Sequence, residues 1–186
     1  MKKSIVVSGP PAVGKTTVAK GLAAEFDVRY LSGGDILKEM ARDEGYDPTG
    51  NDWWDTLEGL EFLSMREQDP KFDKKLDEHL LLLYLNGGVV ITSYTIPWLV
   101  KSGIKIWLDA SHDSSTKRMQ SRDNMSSEDA YNITKTRFDK NKMLYKKLYG
   151  FDFGPNKSVF DIMINTDNLT AKQVLDSAVK SVRNIS

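Results

Sequence analysis

Apolar residues follow two rhythms along this chain. Short β-branched runs occupy residues 4–8, 28–31, 89–92, 104–108 and 160–164, and between them apolar positions recur every three or four residues. Such alternation predicts an α/β domain on a mainly parallel sheet, because parallel strands need a crossover helix between them. Ile5-Val6-Val7, Val89-Val90-Ile91 and Ile104-Lys105-Ile106-Trp107 read as interior strands. Helices are predicted over 15–26, 35–44, 72–86, 111–122, 127–149 and 170–182. The third carries Phe72, Leu76, Leu80 and Leu83 on one stripe and stops at Gly87-Gly88; the fifth ends at Gly150, a residue suited to the left-handed position after a helix. Residues 47–69 are the least regular, and Trp53-Trp54 with Phe62 suggest a helix inserted between the second and third strands.

Composition narrows the function. The 186 residues read as one domain, 1–186, without linker, repeat or low-complexity tract. Lys plus Arg and Asp plus Glu each number 26, so no global field favours nucleic acid or an anionic membrane, and any anion site must be local. There are no cysteines, which removes disulfides and thiolate chemistry, and His79 and His112 leave little for a histidine metal site. The apolar run after Met1-Lys2-Lys3 is too short for a signal peptide, and the run at 80–85 falls far short of a membrane span. A cytoplasmic protein is expected; the oligomeric state is not indicated.

The chemistry begins at Gly9-Pro10-Pro11-Ala12-Val13-Gly14-Lys15-Thr16, followed by Thr17, which fits the phosphate-binding pattern G-x-x-x-x-G-K-[ST]. A strand precedes it and a helix opens within it. Glycines let backbone N–H groups turn towards a phosphate, and the helix N-terminus adds partial positive charge. Lys15 is placed for the β- and γ-phosphates of ATP and Thr16 for Mg²⁺. A guanine-reading Asn-Lys-x-Asp is missing: Leu144 follows Asn141-Lys142-Met143, inside a predicted helix. Small size and the lack of an acidic residue directly after 89–92 point to a small-molecule or nucleotide kinase.

Further segments carry a resemblance. Gly33-Gly34-Asp35-Ile36, Ile106-Trp107-Leu108-Asp109-Ala110, Arg118 with Arg122, Ser127-Glu128-Asp129-Ala130, Tyr145 through Gly150-Phe151-Asp152, and Phe160 through Thr166 resemble the archaeal cytidylate kinases of the nucleoside monophosphate kinase-like fold. The resemblance spans most of the chain outside about 46–69. It implies a three-layer fold with a five-stranded parallel sheet in order 2-3-1-4-5 and helices on both faces. It also implies an acceptor-binding region over about 35–100 and a lid within about 118–137. Arg118, Arg122 and Arg137 are the candidate cations for the transferring phosphoryl group. Asp35 is a candidate helix N-cap and, equally, a carboxylate facing the acceptor.

The chain departs from the family where the acceptor phosphate is gripped. Thr92-Ser93-Tyr94-Thr95 stands where the family carries an acidic residue, glycine and arginine, and Asp77-Glu78-His79 stands where it carries paired arginines. Lys15 stands where its phosphate loop usually has threonine. A conserved engine with an altered pocket implies a different small acceptor. One branch in acidophilic archaea phosphorylates the 5-hydroxyl of mevalonate 3-phosphate, and that is the expected reaction. Cytidylate kinase activity and a non-catalytic nucleotide-binding regulator are the alternatives.

Overall fold

A computed structural model describes residues 3–50, 53, 56–69 and 71–185. The strands are β1 (Ile5–Ser8), β2 (Arg29–Ser32), β3 (Val89–Thr92), β4 (Ile104–Asp109) and β5 (Ile162–Asn165). They form one sheet in order β2-β3-β1-β4-β5, with every pairing parallel. The three strands expected in the interior are the three interior strands.

Strand alternation divides the core into two layers. Ile5 and Val7 of β1 and Ile104, Ile106 and Leu108 of β4 face α1 (Lys15–Glu25) and α8 (Ala171–Ile185), where Leu22, Val174 and Ala178 are buried. On the other face, Val6, Val89 and Ile91 meet α2 (Gly33–Asp43), α4 (Lys71–Leu85) and the short α5 (Ile96–Leu99) through Leu37, Leu76, Leu80 and Ile96. Trp107 joins that second face to an aromatic cluster with Tyr145 and Phe153, flanked by Tyr94, Trp98 and Phe138. Tyr145 and Phe138 belong to α7 (Ser127–Tyr149), which pairs with α6 (His112–Asp123) in a helical hairpin.

Several boundaries differ from expectation for local reasons. Helix α2 starts at Gly33, before Asp35, because Ser32 Oγ accepts from Asp35 N (3.3 Å) and caps it. The last strand runs 162–165, later than the predicted 160–164, because Asp161 is used to close the edge: its N–H donates to Lys105 O and its carboxylate accepts from Lys105 N. Helix α5 has no counterpart in the prediction; Ser93 Oγ caps its start by accepting from Thr95 N and Ile96 N. The inserted helix is α3 (Leu57–Gln68), capped by Thr56. Trp53 and Phe62 are buried there with Ala41, packed by Tyr46, Met65 and Phe72, so Trp53 is core; Trp54 lies outside the described residues. The buried stripe of α4 is Asp73, Leu76, Asp77, Leu80 and Tyr84, and Leu83 is only half-buried.

Gly103, which leads into β4, has φ 86°, and a Cβ there would lie 2.0 Å from Tyr84 Oη and 2.9 Å from Ser4 O. Tyr84 Oη itself donates to Ser4 O and Ser102 O at 3.3 and 3.2 Å, so it has little freedom to retreat. Gly103→Ala therefore combines a left-handed backbone penalty with a clash and is expected to destabilise by about 2–4 kcal/mol. Urea unfolding followed by circular dichroism measures it; a loss under about 1 kcal/mol is incompatible with this contact.

Candidate phosphoryl-transfer site

The loop between β1 and α1 is shaped by backbone constraints. Gly9 leaves the strand at φ 148°, and a Cβ there would lie 2.2 Å from Leu108 O, so no side chain fits. Ala12 has a left-handed backbone at φ 59°. Gly14 forms the N-cap of α1 without a side-chain cap, which leaves the first-turn N–H groups unclaimed by any side chain. Pro10, Pro11, Ala12 and Val13 complete the turn, with Pro11 and Val13 buried. Thr16 and Thr17 are exposed on the first turn of α1. Uncapped amides, a lysine and a hydroxyl oxygen are the donor set that a nucleotide's phosphates and Mg²⁺ require, so these residues fit that pair.

Lys15 is held inside the loop. Its Nζ donates to Gly9 O (2.9 Å) and Pro10 O (2.5 Å) and lies 4.9 Å from the centre of the Tyr94 ring. Burial lowers its pKa from the ordinary lysine value. Arg137 and Arg122 push it the same way, while Tyr94 works against the shift. The two arginines thus bring their charge to Lys15 from α7 and α6. Arg122 also pairs with Asp123, with Nε–Oδ1 and Nη2–Oδ2 at 2.6 and 2.5 Å. Arg118 does not join this group. Its guanidinium donates to Thr166 Oγ1 (2.8 Å) and Thr166 O (2.6 Å), tying α6 to the segment after β5. Asp109 ends β4 and pairs with Lys157 at 2.5 Å. A cleft of about 310 Å³ opens beside the loop, lined by Pro10, Pro11, Trp107, Asp109 and Phe138 among others.

Asp35 does not cap α2, since Ser32 does; it stands exposed in the first turn, just past the carboxyl end of β2. His79 is exposed on α4.

A buried polar network on α4 joins groups that the sequence did not place together. Asp77, buried on α4, accepts from the Thr95 hydroxyl through one oxygen and from Tyr149 Oη (2.6 Å) through the other. Burial raises its pKa from 3.8 to about 6, against the lowering effect of those two hydrogen bonds. One turn earlier, Asp73 receives both Arg66 Nε (3.1 Å) and Arg66 Nη2 (2.6 Å) from α3, and both residues are buried. Tyr94 lies among Lys15, Arg137 and Arg66; burial alone would raise its pKa, and the three cations lower it on balance. Asp73 and Asp77 left a sequence signal, two carboxylates four apart on the stripe of Leu76 and Leu80. Arg66 left none, because α3 shows little periodicity.

A family model described as "Cytidylate kinase-like family" matches residues 4–168. The cytidylate kinase of Staphylothermus marinus is 33% identical over 174 residues, 92% of each chain. That of Ignicoccus hospitalis is 30% identical over 175 residues, covering 93% of this chain and 95% of its own. Among solved structures, the shikimate kinase of Acinetobacter baumannii in complex with shikimate superposes with a TM-score of 0.62 at 18% identity, covering 100% of this chain and 96% of that one, a likeness of fold.

The raised pKa of Asp77 makes a prediction about stability. Below 3.8 both folded and unfolded states hold the proton; between 3.8 and about 6 only the folded state does. Stability contributed by this group is therefore present at low pH and is lost as pH rises through about 6, by at most about 3 kcal/mol. Asp77→Asn removes that dependence. The unfolding free energy of the native protein relative to the variant is expected to fall between pH 4 and pH 7, measured by urea titration at each pH. A difference that stays flat or rises contradicts the burial-driven shift.

Proposed function

The chain belongs to the cytidylate kinase-like family, and from that premise we propose that it transfers the γ-phosphoryl group of ATP to the 5-hydroxyl of mevalonate 3-phosphate, a step of isoprenoid biosynthesis. It is a P-loop kinase that uses ATP with Mg²⁺, and its acceptor is a small molecule. Among the described residues no helix is long and apolar enough to cross a membrane.

The observation that supports an altered acceptor is the buried polar network at the end of β3 and on α4. Ser93, Thr95, Asp77 and Tyr149 are joined by hydrogen bonds where the family grips the acceptor's phosphate with arginines. A buried carboxylate there disfavours a second phosphate at that point, whereas hydroxyls and a phenol suit an alcohol.

The loop's own groups perform the transfer. Lys15 exchanges the carbonyls of Gly9 and Pro10 for phosphate oxygens, and the uncapped amides of α1 cradle the same group. Arg122 and Arg137 stand where charge spreads over the transferring group, and the turn between α6 and α7, residues 124–126, is the lid that carries them. Mg²⁺, held through the Thr16 hydroxyl, neutralises phosphate charge when bound. Asp35, beyond the carboxyl end of β2, orients the acceptor hydroxyl or takes its proton. Arg118, whose guanidinium donates to Thr166 Oγ1 and Thr166 O, positions the segment around Thr166 beside the phosphates.

Cytidine monophosphate is the second reading, favoured by relatives of 30–33% identity that are cytidylate kinases. The ratio of kcat/KM for mevalonate 3-phosphate to that for cytidine monophosphate, at fixed ATP, decides between them. Loss of two charged contacts predicts a ratio of roughly a hundred or more; a ratio below one returns the protein to cytidylate kinase activity.

Lys15→Ala is expected to reduce turnover below a tenth of the native rate, a barrier change exceeding about 1.4 kcal/mol, with an unchanged circular dichroism spectrum. Turnover above that level removes Lys15 from the phosphoryl-transfer site.

A further inference from the structure

The lysine of the phosphate loop has two kinds of partner. Its Nζ donates to the carbonyls of Gly9 and Pro10 at 2.9 and 2.5 Å, and it lies 4.9 Å from the centre of the Tyr94 ring. Among the described residues no carboxylate pairs with it. Lys142 and Lys157 also lie over rings of the aromatic cluster, at 5.6 and 5.5 Å, but Lys157 has the carboxylate of Asp109 as well. The loop lysine is thus held by neutral groups alone.

The sheet brings Tyr94 to this place. β3 lies beside β1 in parallel register, with Thr92 opposite Val7, and Ser93 N donates to Val7 O (3.3 Å), so pairing continues to the ends of both strands. The segments after the two strands leave the same edge of the sheet. One becomes the phosphate loop, and the other begins with Ser93-Tyr94. Ser93 is fixed there by capping α5. The Tyr94 ring is backed by Phe153, edge-on at 5.2 Å and 80°, and by Tyr145 at 6.2 Å, so it cannot swing back from Lys15 into the cluster. Tyr94 also belongs to the stretch in which this chain departs from its family.

A carboxylate in this position would hold the ammonium strongly, but it would repel the triphosphate that Lys15 has to meet. An aromatic face attracts the same cation through its quadrupole and carries no net charge while its hydroxyl keeps its proton. Contact with a face also tolerates a small displacement of Nζ, so it survives when the carbonyls of Gly9 and Pro10 are exchanged for phosphate oxygens. We propose that Tyr94 is a positioning residue for phosphoryl transfer: its ring holds the Lys15 ammonium at the phosphate loop without a negative charge that competes with the nucleotide. This rests on the reading of the chain as a P-loop kinase and adds a residue that acts through Lys15.

The test is a pH profile. Burial lowers the pKa of Lys15, Tyr94 opposes the shift, and Arg137 of α7 and Arg122 of α6 add to it. Only the charged lysine serves a phosphate, so affinity for the nucleotide falls as pH rises through that pKa, and removing the ring moves the fall to lower pH. Binding of a non-hydrolysable ATP analogue with Mg²⁺ is titrated from about pH 6 to pH 10 in the native chain and in Tyr94→Leu, Tyr94→Phe and Lys15→Ala. The alkaline fall is expected about one pH unit lower in Tyr94→Leu than in the native protein, with kcat about tenfold lower and the acceptor KM within about twofold. Tyr94→Phe, which keeps the ring, is expected to restore both the profile and at least about half of the native kcat. Lys15→Ala is expected to lose the alkaline fall, which assigns it to Lys15. An alkaline fall that stays in place in Tyr94→Leu, whatever its melting temperature does, makes Tyr94 a packing residue and overturns the proposal. A fall displaced by about a pH unit in Tyr94→Phe gives the role to the hydroxyl and overturns it too, as does a fall that survives in Lys15→Ala. If Tyr94→Leu does not fold, Tyr94→Met takes its place. If the native protein turns over no acceptor, the kinase reading fails while the binding profile still decides Tyr94.

Discussion

Crowding of positive charge around Lys15 is the constraint on which the rest of this structure turns. A lysine withdrawn from water, with Arg122 and Arg137 acting on it, is costly to keep charged, and carbonyls of the loop itself and the face of Tyr94 offset part of that cost. The arrangement is tolerable because the fold over-determines it. Gly9 lies so close to Leu108 O that the loop cannot drift from β4, and β1 is held between β3 and β4 in the centre of the sheet. The strain of an electropositive pocket is thus carried by the most buried part of the molecule, which is how a site gains affinity for an anion before meeting one.

The same constraint explains why carboxylates are buried on α4. Asp73 and Asp77 lie on the face that an ordinary amphipathic helix would fill with leucine, and the nearby positive charge offsets part of their desolvation. Asp73 locks Arg66, and Asp77 binds the loop after β3 to the end of α7 through Thr95 and Tyr149. One helix therefore couples the insertion, the strand end and the helical hairpin. The cross-links between these elements therefore run through buried polar side chains.

Aromatic residues supply the complementary element. Trp98 stacks on Phe151 at 4.5 Å with an interplanar angle of 2°, and Phe153 meets Tyr94, Trp107, Phe138 and Tyr145 within 6 Å. This cluster fixes α7 and the segment after it against β4 through ring contacts. It leaves Tyr94 packed on one side and directed at Lys15 on the other.

What was legible in the sequence was what local periodicity and a contiguous motif encode. Short β-branched runs marked all five strands, and the three most apolar runs were the interior ones. The phosphate loop was legible because its residues are consecutive: Gly9 through Thr16 need only each other and the strand and helix at their ends. The order of the strands and the placement of Arg122 and Arg137 came with the resemblance. Asp35 as a cap was misread because Gly33-Gly34 looks like a turn, yet Ser32 lets those glycines enter the helix. Arg66, Asp73, Asp77, Tyr94 and Tyr149 lie far apart along the chain, and nothing local in α3 marks Arg66 as different from a surface arginine. Only when β3, α3, α4 and α7 converge do burial and long-range hydrogen bonds select among the charged residues. Sequence by itself determined the engine, a strand, a loop and a helix; the tertiary structure decided which charged and polar residues are buried together, because burial and long-range hydrogen bonds are sums over residues that meet only in the fold.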